Sequence, residues 1–176
     1  MFSGPPLPLP VSSAAAGVLA AGLLIATVID LRSRRIPNLL TATMATLGFG
    51  LAAAGAGGAT LTAALAGCVL GFLLMLPGYA LGATGAGDVK LMAAVGAILG
   101  PALVLLAFIC TSIAGGVLAI VIALRRRRLA ATLAQTGRLV AAPGAAPQEI
   151  RAAGTASRFA YGPAIAAGSL AALLIA

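Results

Sequence analysis

The sequence predicts an all-α integral membrane protein with six transmembrane helices and both termini outside. Three observations predict it. Of 176 residues, 61% are hydrophobic and only 8% charged, whereas a soluble domain carries roughly 25% charged residues. Several uncharged runs approach the roughly 20 residues that a helix needs to cross the hydrocarbon core. The basic residues collect beside the ends of those runs, where cytoplasmic loops concentrate Lys and Arg.

Residues 1–10 lack the basic start of a secretory signal, and the apolar run behind them is long enough to remain as a span, so no cleavage is expected. That run, residues 11–29, is the first crossing; residues 39–56 form the second, 61–81 the third and 159–176 the last. The apolar stretch 89–124 is too long for one crossing. Gly100-Pro101 is its natural break, because proline disfavours helical geometry in the residue before it. This yields a short fourth helix and a fifth.

The charges test the count. Arg32, Arg34 and Arg35 follow the first span, Lys90 opens the fourth, and Arg125 to Arg128, Arg138, Arg151 and Arg158 lie between the fifth and sixth. With six spans, all eleven basic residues fall on the cytoplasmic side. A single tilted span over 89–124 would put Lys90 and the Arg125 cluster on opposite sides.

The chain reads as a single membrane-embedded domain, 1–176, with one long cytoplasmic loop at 125–158. That loop opens with four arginines and continues with Leu129, Leu133 and Val140 at near-helical spacing. A basic amphipathic helix on anionic lipid and a topogenic charge cluster followed by an irregular loop both fit it. With 4% aromatic residues and no Trp, packing must come from small and aliphatic side chains, including 23 glycines. Gly67/Gly71 and Gly96/Gly100 are spaced for close helix contacts, although composition alone also produces such spacings. A net charge of +8 without a base-stacking aromatic surface points to membrane lipids and not to nucleic acid. Cys68 and Cys110 lie in apolar segments and form neither a disulfide framework nor a metal motif.

Three acidic residues and no histidine exclude Ser-His-Asp, Cys-His and His-rich metal chemistry. Glu149 sits in the loop, where a solvated carboxylate is the default. Asp30 and Asp88 each fall at the cytoplasmic end of an apolar helix, on the same side and at similar depth. Each also has a structural reading: Asp30 as a juxtamembrane partner of Arg32 or Arg34, and Asp88 as the N-cap of the fourth helix. Two close carboxylates offer aspartic-protease chemistry, one ionised to activate water and one protonated toward the scissile carbonyl, with no metal or cofactor. Gly85 and Gly87 ahead of Asp88 would permit unusual backbone angles and leave room for substrate.

The segment Asp30-Leu-Arg-Ser-Arg-Arg-Ile36-Pro37-Asn38 and the segment Gly85-Ala-Gly87-Asp88-Val-Lys90-Leu91, with Gly96, resemble the type IV prepilin peptidases, which are GxGD-type membrane aspartic peptidases. Tyr161-Gly162-Pro163-Ala164 is similar to an aromatic-Gly-Pro stretch of that family. The resemblance covers the six-helix core. It implies Asp30 and Asp88 as the catalytic dyad, Gly85 and Gly87 as shapers of an active-site loop that includes Lys90, and a prepilin or pseudopilin substrate. The substrate's short basic leader would be cut on the cytoplasmic side and its apolar helix held laterally. Lys90 also reads as a positive-inside residue, Pro37 as a helix stop and Asn38 as a helix cap.

Two features depart from the family's larger, bifunctional members. The cytoplasmic region with paired cysteines is missing, so the resemblance implies peptidase activity without N-methyltransferase, as in the short enzymes of tight-adherence (Flp) pili. Ala160 stands where proline often precedes the aromatic residue. A presenilin-type protease would carry Tyr-Asp at the first aspartate and a late Pro-Ala-Leu; here Ile29 precedes Asp30, and Pro101-Ala102-Leu103 is misplaced. A proton-coupled transporter or a non-catalytic pilus-assembly subunit is the reading from another class, but transport across the bilayer would need acidic groups at more than one depth.

Overall fold

The computed structural model describes residues 11–125 and 161–175. Within them the chain is all-helical, with no strand. Its helices are α1 (Ser13–Ser33), α2 (Asn38–Ala53), α3 (Leu61–Ala80), α4 (Ala86–Arg125) and α5 (Gly162–Ile175). The basic connection after Arg125, with Glu149 in it, lies outside the described residues.

Local signals set the boundaries. Ser12 caps α1 by accepting the Ala15 N–H, and Thr60 caps α3 by accepting the Ala63 N–H, both at 3.2 Å; these are donors that a helix start otherwise leaves unpaired. α1 continues past Ile29 to Ser33, beyond the expected end of the first span, and stops where Arg34 turns left-handed (φ 51°). Asn38 does not cap α2. Pro37, with φ −64°, occupies the cap position and makes no side-chain bond there; Asn38 is the first helical residue, and its side chain is used elsewhere.

α4 is the centre of the fold. It packs on α3, α5 and α2, and every residue from Leu91 to Gly100 is buried, as expected of a helix that is apolar all round. At Gly100 the backbone leaves helical geometry (φ 78°, ψ 178°). The chain doubles back there. The place of the missing Gly71 side chain is flanked by Met92 from before the break and by Val104 from after it, while Gly100 lies near Ala63. The second segment of α4 then returns to the end of the bundle where α5 begins, with Gly115 against Tyr161.

Small residues make these contacts close. A Cβ at Gly67 would collide with the Gly96 carbonyl, and one at Gly96 with the Gly67 carbonyl. Gly71 meets the Met92 carbonyl, and Gly168 of α5 meets Thr111 in the same way. Both expected glycine pairs therefore lie in the α3–α4 seam.

The outward faces remain apolar. Leu24, Leu47, Val69, Leu73, Ile113 and Ile120 are all exposed; in water each would forgo about 1.5–3 kcal/mol of burial, whereas hydrocarbon exacts no such penalty. α1, α3 and the Ala86–Val121 stretch of α4 are long and apolar enough to cross a membrane, and α2 and α5 are shorter apolar helices.

Candidate active site

Asp30 lies on the buried stripe of α1, in register with Ala15, Leu19, Gly22, Leu23 and Ala26. It is 5% exposed. Helical spacing, not proximity to the charged loop, thus directs the carboxylate inward. Its Oδ2 accepts the backbone N–H of Gly162 at 2.8 Å. Gly162 is the first residue of α5, so α1 and α5 meet at this bond.

Asp88 is 7% exposed. It is not the N-cap of α4. The helix starts at Ala86, which puts Asp88 in its first turn, and Oδ2 reaches back to accept the Gly85 N–H at 2.8 Å. This is the returning half of a capping box, in which an acidic third residue satisfies the amide that precedes the helix. The Asp88 N–H in turn donates to the Gly85 carbonyl at 3.1 Å.

The glycines of this turn act through space and not through unusual angles. Neither Gly85 nor Gly87 has a positive φ; in this connection that role falls to Gly82 (φ 78°). A Cβ at Gly85 would lie 3.2 Å from Asp88 Oδ2. A Cβ at Gly87 would lie 3.1 Å from the Cβ of Ile36. The room beside Gly87 is therefore filled by Ile36, a buried residue of the short connection after α1.

These contacts bring the two aspartates to one end of the bundle. The connection between α1 and α2 is pinned to α4 twice, by Ile36 on Gly87 and by Lys90 Nζ, which donates to Asn38 Oδ1 at 2.9 Å on the exposed rim. Among the described residues, no group of three or more His, Cys, Asp or Glu side chains gathers to hold a metal. Buried carboxylates held by amide donors, at the end of an otherwise apolar bundle, are suited to proton exchange with a peptide bond and a water.

The model of the type IV leader peptidase family matches residues 17–120, more than half of the chain and a stretch that contains both aspartates. The chain belongs to the type IV leader peptidase family. No curated protein and no solved structure matches it. In this leader peptidase family member, the matched stretch includes Gly85, Gly87 and Lys90 but stops short of α5. The Gly162 amide, which holds Asp30, lies beyond it. The Tyr161-Gly162-Pro163-Ala164 stretch marks this place in the sequence, but only the start of α5 against Asp30 shows that the Gly162 backbone N–H is what meets the carboxylate.

Proposed function

We propose that the protein is a GxGD-type aspartic endopeptidase that removes the short basic leader of a prepilin or pseudopilin precursor at the cytoplasmic edge of the inner membrane. The observation that supports it best is the convergence of two buried carboxylates, Asp30 and Asp88, at one end of an apolar bundle. Ionisable groups in such a setting are costly and are usually retained for chemistry.

In this reading one carboxylate is ionised and takes a proton from a water whose oxygen attacks the scissile carbonyl carbon. The other, protonated, donates a hydrogen bond to the carbonyl oxygen. Collapse of the tetrahedral intermediate breaks the C–N bond, and a proton passes to the leaving amine. The pair shares one proton because like charges at short range resist joint ionisation. Six crossings with both termini outside would place the dyad and the basic residues on the cytoplasmic side, where the leader would lie. The substrate's apolar helix would bind laterally among the enzyme's helices. The chain's two cysteines lie apart in apolar helices, which supports a peptidase without methyltransferase, and a tight-adherence (Flp) pilin is the substrate class we favour.

The test is cleavage of a co-expressed prepilin from the same genome by the wild type, Asp30→Asn and Asp88→Asn at matched membrane levels. Each variant should lose at least about a hundredfold in processing rate. Wild-type processing by either would refute the dyad. Mass spectrometry of the product should show an unmethylated N-terminus; a methylated one would overturn the peptidase-only reading.

A further inference from the structure

The geometry points to the N-terminus of α5, through the backbone amide of Gly162, as a positioning element for Asp30, an inference that rests on the aspartic-dyad reading above. The first N–H groups of a helix have no acceptor within it. In α5 the preceding residue is Tyr161, which is not a capping type, and the donor of Gly162 is satisfied from another helix, by Asp30 Oδ2 at 2.8 Å. The carboxylate thereby also sits at the partially positive end of α5.

The fit leaves no space for a side chain. A Cβ at Gly162 would lie 2.8 Å from Asp30 Oδ2, 3.0 Å from its Cβ and 3.2 Å from its Cγ. Pro163 follows in the first turn, where its missing N–H breaks no helical bond. On the other side, the ring of Tyr161 fills the notch at Gly115 of α4, where a Cβ would lie 2.8 Å from the ring's Cε2 and from its hydroxyl. The amide is thus held between Asp30 of α1 and the second segment of α4, and α4 also carries Asp88. A chain of contacts from Asp30 through Gly162 and Tyr161 to Gly115 ties the first aspartate to the segment of α4 that follows the Gly100 break. Gly162 and Tyr161 both lie outside the stretch that the family model matches.

The experiment uses the purified full-length protein in lipid nanodiscs, with the prepilin precursor as substrate. Gly162→Ala should lower kcat roughly tenfold to a hundredfold, with KM held within about twofold. Gly115→Ala, which disturbs Tyr161 without touching Asp30, should show the same split to a smaller extent. Thermal unfolding supplies a readout that does not depend on activity: Gly162→Ala should lower Tm in the wild type and leave it unchanged in an Asp30→Gly background, where none of the three Asp30 atoms that would meet the added methyl remains. Equal Tm losses in both backgrounds, or a wild-type kcat in Gly162→Ala, would overturn the inference. Should the wild type fail to cut the precursor while the Tm coupling holds, the Gly162–Asp30 contact stands and it is the peptidase reading that fails.

Discussion

Asp30 and Asp88 meet the same problem in the same way: each is buried, and each directs Oδ2 at one backbone N–H. A hydrogen bond to a charged group contributes about 1.5–3 kcal/mol, while burying an ion costs several kcal/mol even after relaxation. One amide apiece therefore offsets only part of the cost of two negative charges, and in the proposed dyad a shared proton would relieve the rest. Lys90 is a different case. Its ammonium is exposed and bonded to Asn38, and an exposed polar pair contributes about 1 kcal/mol or less. Lys90→Met should therefore reduce stability by no more than that and keep cleavage within about threefold, as read by thermal unfolding and precursor processing. A hundredfold loss of cleavage at unchanged stability would instead give the cation a chemical role. The place of Asp30 at the end of the first apolar run was readable in the sequence; its inward direction was not, because α1 is apolar on every side, and neither was its partner, because a backbone amide carries no residue signature.

At the scale of elements, the α3–α4 seam depends on backbone approach. Helices in lipid have no hydrophobic drive toward one another, so close packing of small residues has to hold them. Gly67→Ala would push a methyl into the Gly96 carbonyl, a backbone atom that cannot swing aside, and should cost about 1–3 kcal/mol or more. Gly17→Ala has nothing within 4 Å of the added methyl and should be neutral or stabilise α1 by up to about 1 kcal/mol. Unfolding in the same detergent checks both, and equal effects would mean that the seam is not under packing control. The Gly67/Gly71 and Gly96/Gly100 spacings were visible beforehand, but spacing could not separate contact from composition, since only the antiparallel path of α3 and α4 brings Gly67 to Gly96. Asn38 and Asp88 show the same limit. Both are good capping residues, and both sit inside their helices because an earlier residue, Pro37 just before Asn38 and Gly85 three before Asp88, takes the cap position.

For the whole molecule, the break at Gly100 decides how the ends are arranged. Because the chain reverses there, α4 leaves and re-enters the end of the bundle that holds Asp30, Asp88 and Tyr161. Together with the clustering of basic residues, this leads to a topology prediction: reporters fused after residue 140 should score cytoplasmic, and reporters after residues 57 and 176 should score external. Reporters after 140 and 176 on the same side would remove a crossing and with it the proposed orientation of the dyad.

The sequence by itself determined the helical membrane class, the break at Gly100, the two aspartates as the only acidic groups outside the loop, and the family. All of these follow from residue type and short-range spacing, since hydropathy, proline geometry and local motifs act along the chain. Only the tertiary structure decided that Ile36 fills the space at Gly87, that Lys90 reaches Asn38, and that the Gly162 amide holds Asp30. Those contacts join residues far apart in sequence through shape and backbone donors, and the physical reason is that a missing side chain or a free N–H acquires meaning only from what packs against it.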